Sequence, residues 1–102
     1  MQKIKNIVQQ SLKLGFIEES ESILSDLVDA QCQEMGLLHD ETLDTIQLWS
    51  ETLALLKRWS HLEEILALLE SAQSKVNHPN LAFTIRQIEA LCSISPMQIQ
   101  TS

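Results

Sequence analysis

Met35-Gly36-Leu37-Leu38-His39-Asp40-Glu41-Thr42-Leu43 is the stretch on which the fold turns. Before it, Ile23, Leu24, Leu27, Val28, Cys32 and Met35 recur at three- and four-residue spacing, the period of one buried helix face. Gly36 stops that helix, because glycine accepts the left-handed backbone that closes a last turn. Asp40 then reads as the N-cap of a further helix. That helix carries Leu43, Ile46, Trp49 or Ser50, Leu53 and Leu56 in phase. A short break between two long periodic segments predicts helices that fold back on one another.

Outward from this break the same reading gives five helices, over 2–14, 17–35, 40–56, 60–76 and 79–93. The first places Ile4, Ile7, Val8 and Leu12 on one face and ends at Gly15. Glu18, Glu19 and Glu21 crowd the start of the second, where carboxylates complement the helix dipole. Ser60-His61-Leu62-Glu63 has the pattern of a capping box for the fourth, whose stripe is Leu62, Ile65, Leu66, Leu69, Ala72 and Val76. Pro79 suits the first position of the fifth, which presents Leu81, Ile85, Ile88 and Leu91 or Cys92 before Ser95-Pro96. No segment alternates with period two. The expected fold is all-α, about five antiparallel helices as stacked hairpins, forming one domain over 1–95 with a flexible tail at 96–102.

The 102 residues hold 44% hydrophobic side chains, enough for a core. Only two glycines, two prolines and no tyrosine argue against a turn-dense β-sandwich. The net charge of −7 argues against direct contact with nucleic-acid phosphates or anionic membranes. Cys32 and Cys92 form no CxxC pair and fall at apolar helical positions, so two reduced core thiols are expected. The N-terminus lacks an apolar leader, and no run approaches the length of a membrane span. A soluble, cytoplasmic protein is expected.

Catalytic constellations are missing from the pattern. His39, His61 and His78 sit at helix starts or linkers, where imidazole satisfies free backbone groups, and their spacing suits no common metal motif. The pairs Glu18-Glu19 and Glu63-Glu64 open helices, where dipole complementarity explains them better than acid–base work. No nucleophile elbow or phosphate loop occurs. The expectation is a non-enzyme with no catalytic residue, metal or cofactor.

The helical hairpin also repeats. Gly15-Phe16-Ile17-Glu18-Glu19 matches Ser60-His61-Leu62-Glu63-Glu64 at an offset of 45 residues, and the linker histidines His39 and His78 are 39 apart. A period near one hairpin marks an α-solenoid. These residues resemble tetratricopeptide repeats of the long-helix, kinesin light chain-like kind. Gly15-Phe16-Ile17-Glu18-Glu19-Ser20 looks like that family's Gly-x-Tyr-Glu-Glu-Ala turn. Met35-Gly36-Leu37-Leu38-His39-Asp40-Glu41-Thr42-Leu43 looks like its linker, keeping the Gly, His, Thr and Leu, and His78-Pro79-Asn80-Leu81 keeps the His-Pro. The resemblance implies a module that binds another protein.

Two features carry the expected binding. Between Lys13 and Lys57 there is no Lys or Arg, while Glu18, Glu19, Glu21, Asp26, Asp29, Glu34, Asp40, Glu41, Asp44 and Glu51 all fall there. Such a surface steers a partner with a basic face. A groove on the third helix is expected at Thr45, Leu48, Trp49 and Thr52, because aromatic anchors dominate interface energetics. The leading reading is a non-catalytic protein-interaction module. An acidic inhibitor or immunity-type protein that blocks a basic active site or nucleic-acid groove is the alternative, and a structural homo-oligomer the third.

Overall fold

A computed structural model describes residues 2–93 of the chain. Five helices follow in order: α1 (Gln2–Lys13), α2 (Ile17–Glu34), α3 (Asp40–Leu55), α4 (Trp59–Gln73) and α5 (Pro79–Ser93). The fold is all-α, and no strand occurs among the described residues. The expected tail at 96–102 lies outside them.

The links alternate in length. Residues 14–16 and 56–58 form three-residue turns, and 35–39 and 74–78 form five-residue links. The two short turns share one backbone pattern. Gly15 and Lys57 both have positive φ, +92° and +59°. Their N–H groups donate three residues back, to the Leu12 and Ala54 carbonyls at 3.1 and 3.0 Å. The next N–H groups, of Phe16 and Arg58, donate five residues back, to Ser11 and Leu53 at 2.9 and 3.0 Å. This is the Schellman closure of a helix C-terminus. Phe16 and Arg58 then start the following helices with nearly equal torsions, −85°/65° and −90°/66°.

The matching turns are therefore 42 residues apart, and the offset of 45 is corrected: Gly15 corresponds to Lys57 rather than Ser60. For the same reason Ser60 is no N-cap. Helix α4 begins at Trp59, and Arg58 supplies no side-chain cap. The offset falls to 39 at the linker histidines because α4, at 15 residues, is shorter than α2, at 18. The α3 cap is also corrected, since His39 rather than Asp40 holds that position, its Nδ1 accepting from the Glu41 N–H at 3.2 Å. His78 repeats the role for α5, where Nδ1 accepts from the Leu81 N–H at 3.4 Å.

Helix α3 is the hub, packing against α2, α4 and α5, while α1 packs on α2 and α4 on α5. The core joins Val8 of α1 and Leu24 and Val28 of α2 to Leu43, Ile46, Trp49 and Leu53 of α3. Leu62, Ile65 and Leu69 of α4 and Leu81, Ile85, Ile88 and Cys92 of α5 complete it. Each such side chain contributes about 1.5–3 kcal/mol by leaving water. Ile7, Ile23 and Val76, expected on buried stripes, are exposed instead. Val76 also falls beyond the end of α4.

Seven polar residues are fully or nearly buried. The burial is tolerated because most of their hydroxyls close onto their own helix. Ser20, Thr45, Ser50, Thr52 and Thr84 each donate to the carbonyl four residues earlier, at 2.7–3.0 Å. Thr42 Oγ1 is the exception, buried without a hydrogen-bond partner. A polar ladder seals α3 to α5. In it Gln47 Nε2 donates to Asn80 Oδ1 and Thr84 Oγ1, at 3.2 and 2.8 Å, and Gln87 Nε2 to Glu51 Oε1 at 2.8 Å.

Candidate partner-binding cleft

Helices α2 and α4 both lie on α3, but they do not pack closely on one another. The space between them is a cleft of about 270 Å³, floored by Ile46 and Trp49 of α3. Val28, Asp29 and Cys32 form one wall; His61, Glu64, Ile65, Leu68 and Leu69 form the other, and Leu37 of the α2–α3 link completes the lining. A second hollow of about 290 Å³ continues from Leu37 and Leu68 past Leu38 and Ala72 to Lys75 and Val76. The two share Leu37 and Leu68, so they form an elongated trough. Leu68 is 56% exposed on its lip.

A polar clasp holds the Trp49 end. The Trp49 indole N–H donates to Glu21 Oε2 at 2.9 Å, and Arg58 Nη1 donates to Glu21 Oε1 at 2.8 Å. Glu21 is 12% exposed and Arg58 45%, so the carboxylate is tucked under its cation. The Trp49 ring meets His61 edge to face, with centroids 5.0 Å apart. Glu21 of α2, with Arg58 and His61 around the start of α4, thus sets the orientation of the indole.

Two carboxylates, Asp29 and Glu64, line the deeper hollow, and Lys75 lines the second. Helix α2 carries Glu18, Glu19, Glu21, Asp26, Asp29 and Glu34, helix α4 carries Glu63, Glu64 and Glu70, and neither contains a Lys or Arg. Burial pushes the Cys32 thiol above its ordinary value of 9.0, and the adjacent Asp29 carboxylate pushes it further. Cys92 is shifted the same way by burial, then by Glu63 and Glu89. Both cysteines are free thiols. Among the described residues no group of three His, Cys, Asp or Glu side chains could hold a metal ion, and no helix is long and apolar enough to cross a membrane.

The structure separates the residues expected to form a groove. Thr45 and Thr52 are wholly buried and bonded to their own backbone, and Leu48 is half-buried. Of the four, only Trp49 lines the cleft. The ten expected acids divide as well. Glu18, Glu19, Asp26, Asp29 and Glu34 are exposed on α2, and Glu21 is clasped. Asp40, Asp44 and Glu51 line the α3–α5 seam, where Asn80 Nδ2 approaches Asp40 and Asp44 at 3.4 Å each, and Glu41 is exposed beside them. Glu63 and Glu64 were read only as opening the fourth helix, whose first turn in fact holds no acid, and Glu70 was missed. The signal for them is the second cation-free interval, between Arg58 and Lys75. No family model, curated protein or solved structure matches this chain.

Proposed function

We propose that the protein is a non-catalytic, cytoplasmic interaction module of the tetratricopeptide-like kind, which binds a protein or peptide partner in the trough between α2 and α4. The observation that carries this reading is the trough itself: two adjoining, mostly apolar hollows open to solvent, with a clamped tryptophan at one end. At about 270 and 290 Å³ each hollow falls just below the ~300–1,000 Å³ typical of pockets that enclose a small molecule. It suits one or two inserted side chains of a macromolecule. Recognition by apolar insertion, with carboxylates around the rim, needs no bond-making chemistry.

The test is tagged capture from native lysate by the wild-type chain and by Leu68→Asp, eluted in salt steps. The reading predicts a partner retained by the wild type and lost by the variant. Retention by both, with sharp release at moderate salt, would instead favour the acidic inhibitor, which uses the carboxylates without the trough. Recovery of the chain alone as a stable homomer would favour the structural oligomer.

A further inference from the structure

The geometry points to one class of partner for the trough: an amphipathic helix with leucine-like side chains along one face and Lys or Arg flanking them. This inference rests on the interaction reading and narrows it. An extended peptide is the poorer fit. The trough has apolar walls of Val28, Ile65 and Leu68, and this all-α fold offers no sheet edge to pair with a strand's N–H and C=O groups. An extended backbone laid there would leave polar groups buried unpaired, whereas a helix arrives with them satisfied internally. Two hollows sharing Leu37 and Leu68 suit two apolar side chains from successive turns of one helix face.

Charge decides the flanks. Asp29 and Glu64 stand on opposite walls of the deeper hollow, so cations on either side of the inserted row each meet a carboxylate. Neither wall helix carries a Lys or Arg to compete for these acids, and Arg58, the nearest cation in sequence to α4, is engaged with Glu21. Lys75, at the outer end of the second hollow, is the one cation among the lining residues. An acidic helix would face repulsion from both walls.

The experiment uses the full chain carrying Trp59→Phe, so that emission reports Trp49 alone. The probes are synthetic helical peptides of about 18 residues, long enough to run ~27 Å, with leucine on one face and Lys, Gln or Glu elsewhere. The leucine–lysine peptide is expected to shift Trp49 emission saturably. Its affinity should fall about tenfold or more between roughly 50 and 300 mM salt. Leu68→Asp should abolish the response, and Asp29→Lys with Glu64→Lys should weaken it about tenfold or more, with far-UV circular dichroism confirming that each variant is folded. If the glutamine peptide binds as well as the lysine peptide and Leu68→Asp abolishes both, the partner class is overturned while the interaction reading survives. Absence of binding by every peptide overturns both. Lysine-peptide binding that is salt-sensitive but indifferent to Leu68→Asp also overturns the inference, because it reports adhesion to the acidic surface alone.

Discussion

Glu21 is the carboxylate with the most specific task in the molecule, since it accepts from both Trp49 of α3 and Arg58 of the α3–α4 turn. Removing it leaves a nearly buried indole N–H unpaired. Glu21→Ala should therefore lower stability by about 1–3 kcal/mol in urea denaturation. Arg58→Ala should cost at most ~1 kcal/mol, because its side chain is nearly half exposed and a screened ion pair contributes little. Equal losses would show that the clasp acts through charge alone. Thr42 presents the opposite case, a buried hydroxyl with no partner. Thr42→Val keeps the shape and removes the unsatisfied group, so stability should hold or rise by about 1 kcal/mol; a large loss would mean the hydroxyl is bonded. The thiols add a pH dependence. Burial raises both Cys32 and Cys92 above 9.0, so the folded state holds these protons to higher pH than the unfolded chain does. Their contribution is complete below pH 9.0 and is lost as pH rises through the folded values. Replacing both by Ser should flatten that alkaline limb, and an unchanged limb would assign it elsewhere.

At the scale of elements, the two three-residue turns are one structure written in different residues. Gly15 adopts φ +92° without steric cost, but Lys57 holds φ +59° with a Cβ that resists it. Lys57→Gly should accordingly raise stability by about 0.5–1 kcal/mol, and Gly15→Ala should lower it by ~1 kcal/mol. A destabilised Lys57→Gly would mean that the lysine side chain contributes to the turn. The same pair explains what was legible in the sequence. Gly15, Gly36 and Pro79 marked helix ends because their backbone chemistry is local. Lys57 carried no such mark, so the repeat was aligned on Ser60, three residues late. The apolar periods located all five helices, since 3.6-residue spacing survives any tertiary arrangement. Their ends depended on caps: His39 was expected to satisfy free backbone groups at a helix start, but the N-cap position itself fell to the neighbouring aspartate, the commoner cap residue.

At the scale of the whole fold, the described residues form a slab with principal extents of 41 × 38 × 17 Å, in which α3 packs against three helices while α2 and α4 do not pack closely on one another. That separation creates the trough, and no property of a single helix reveals it. Trp49 was recognisable as an anchor from its residue type. Thr45 and Thr52 were placed beside it by periodicity, but the central helix packs against three others and buries both, and their hydroxyls are absorbed by its backbone. Leu37 was read as a linker residue, and Leu68 lies outside the apolar stripe read for the fourth helix. They acquire meaning only when the hairpins stack and bring them to the same opening. Because Leu68 is exposed, Leu68→Asp should change stability by no more than ~0.5 kcal/mol while disabling the trough. The most direct test of the central claim is methyl and indole chemical-shift mapping of the isotope-labelled chain during titration with the leucine–lysine helix. Perturbations are predicted at the methyls of Leu37, Ile65 and Leu68 and at the Trp49 indole. Shifts confined to Leu48, Leu55 and residues of α5 would contradict it, moving the binding face to the far side of α3.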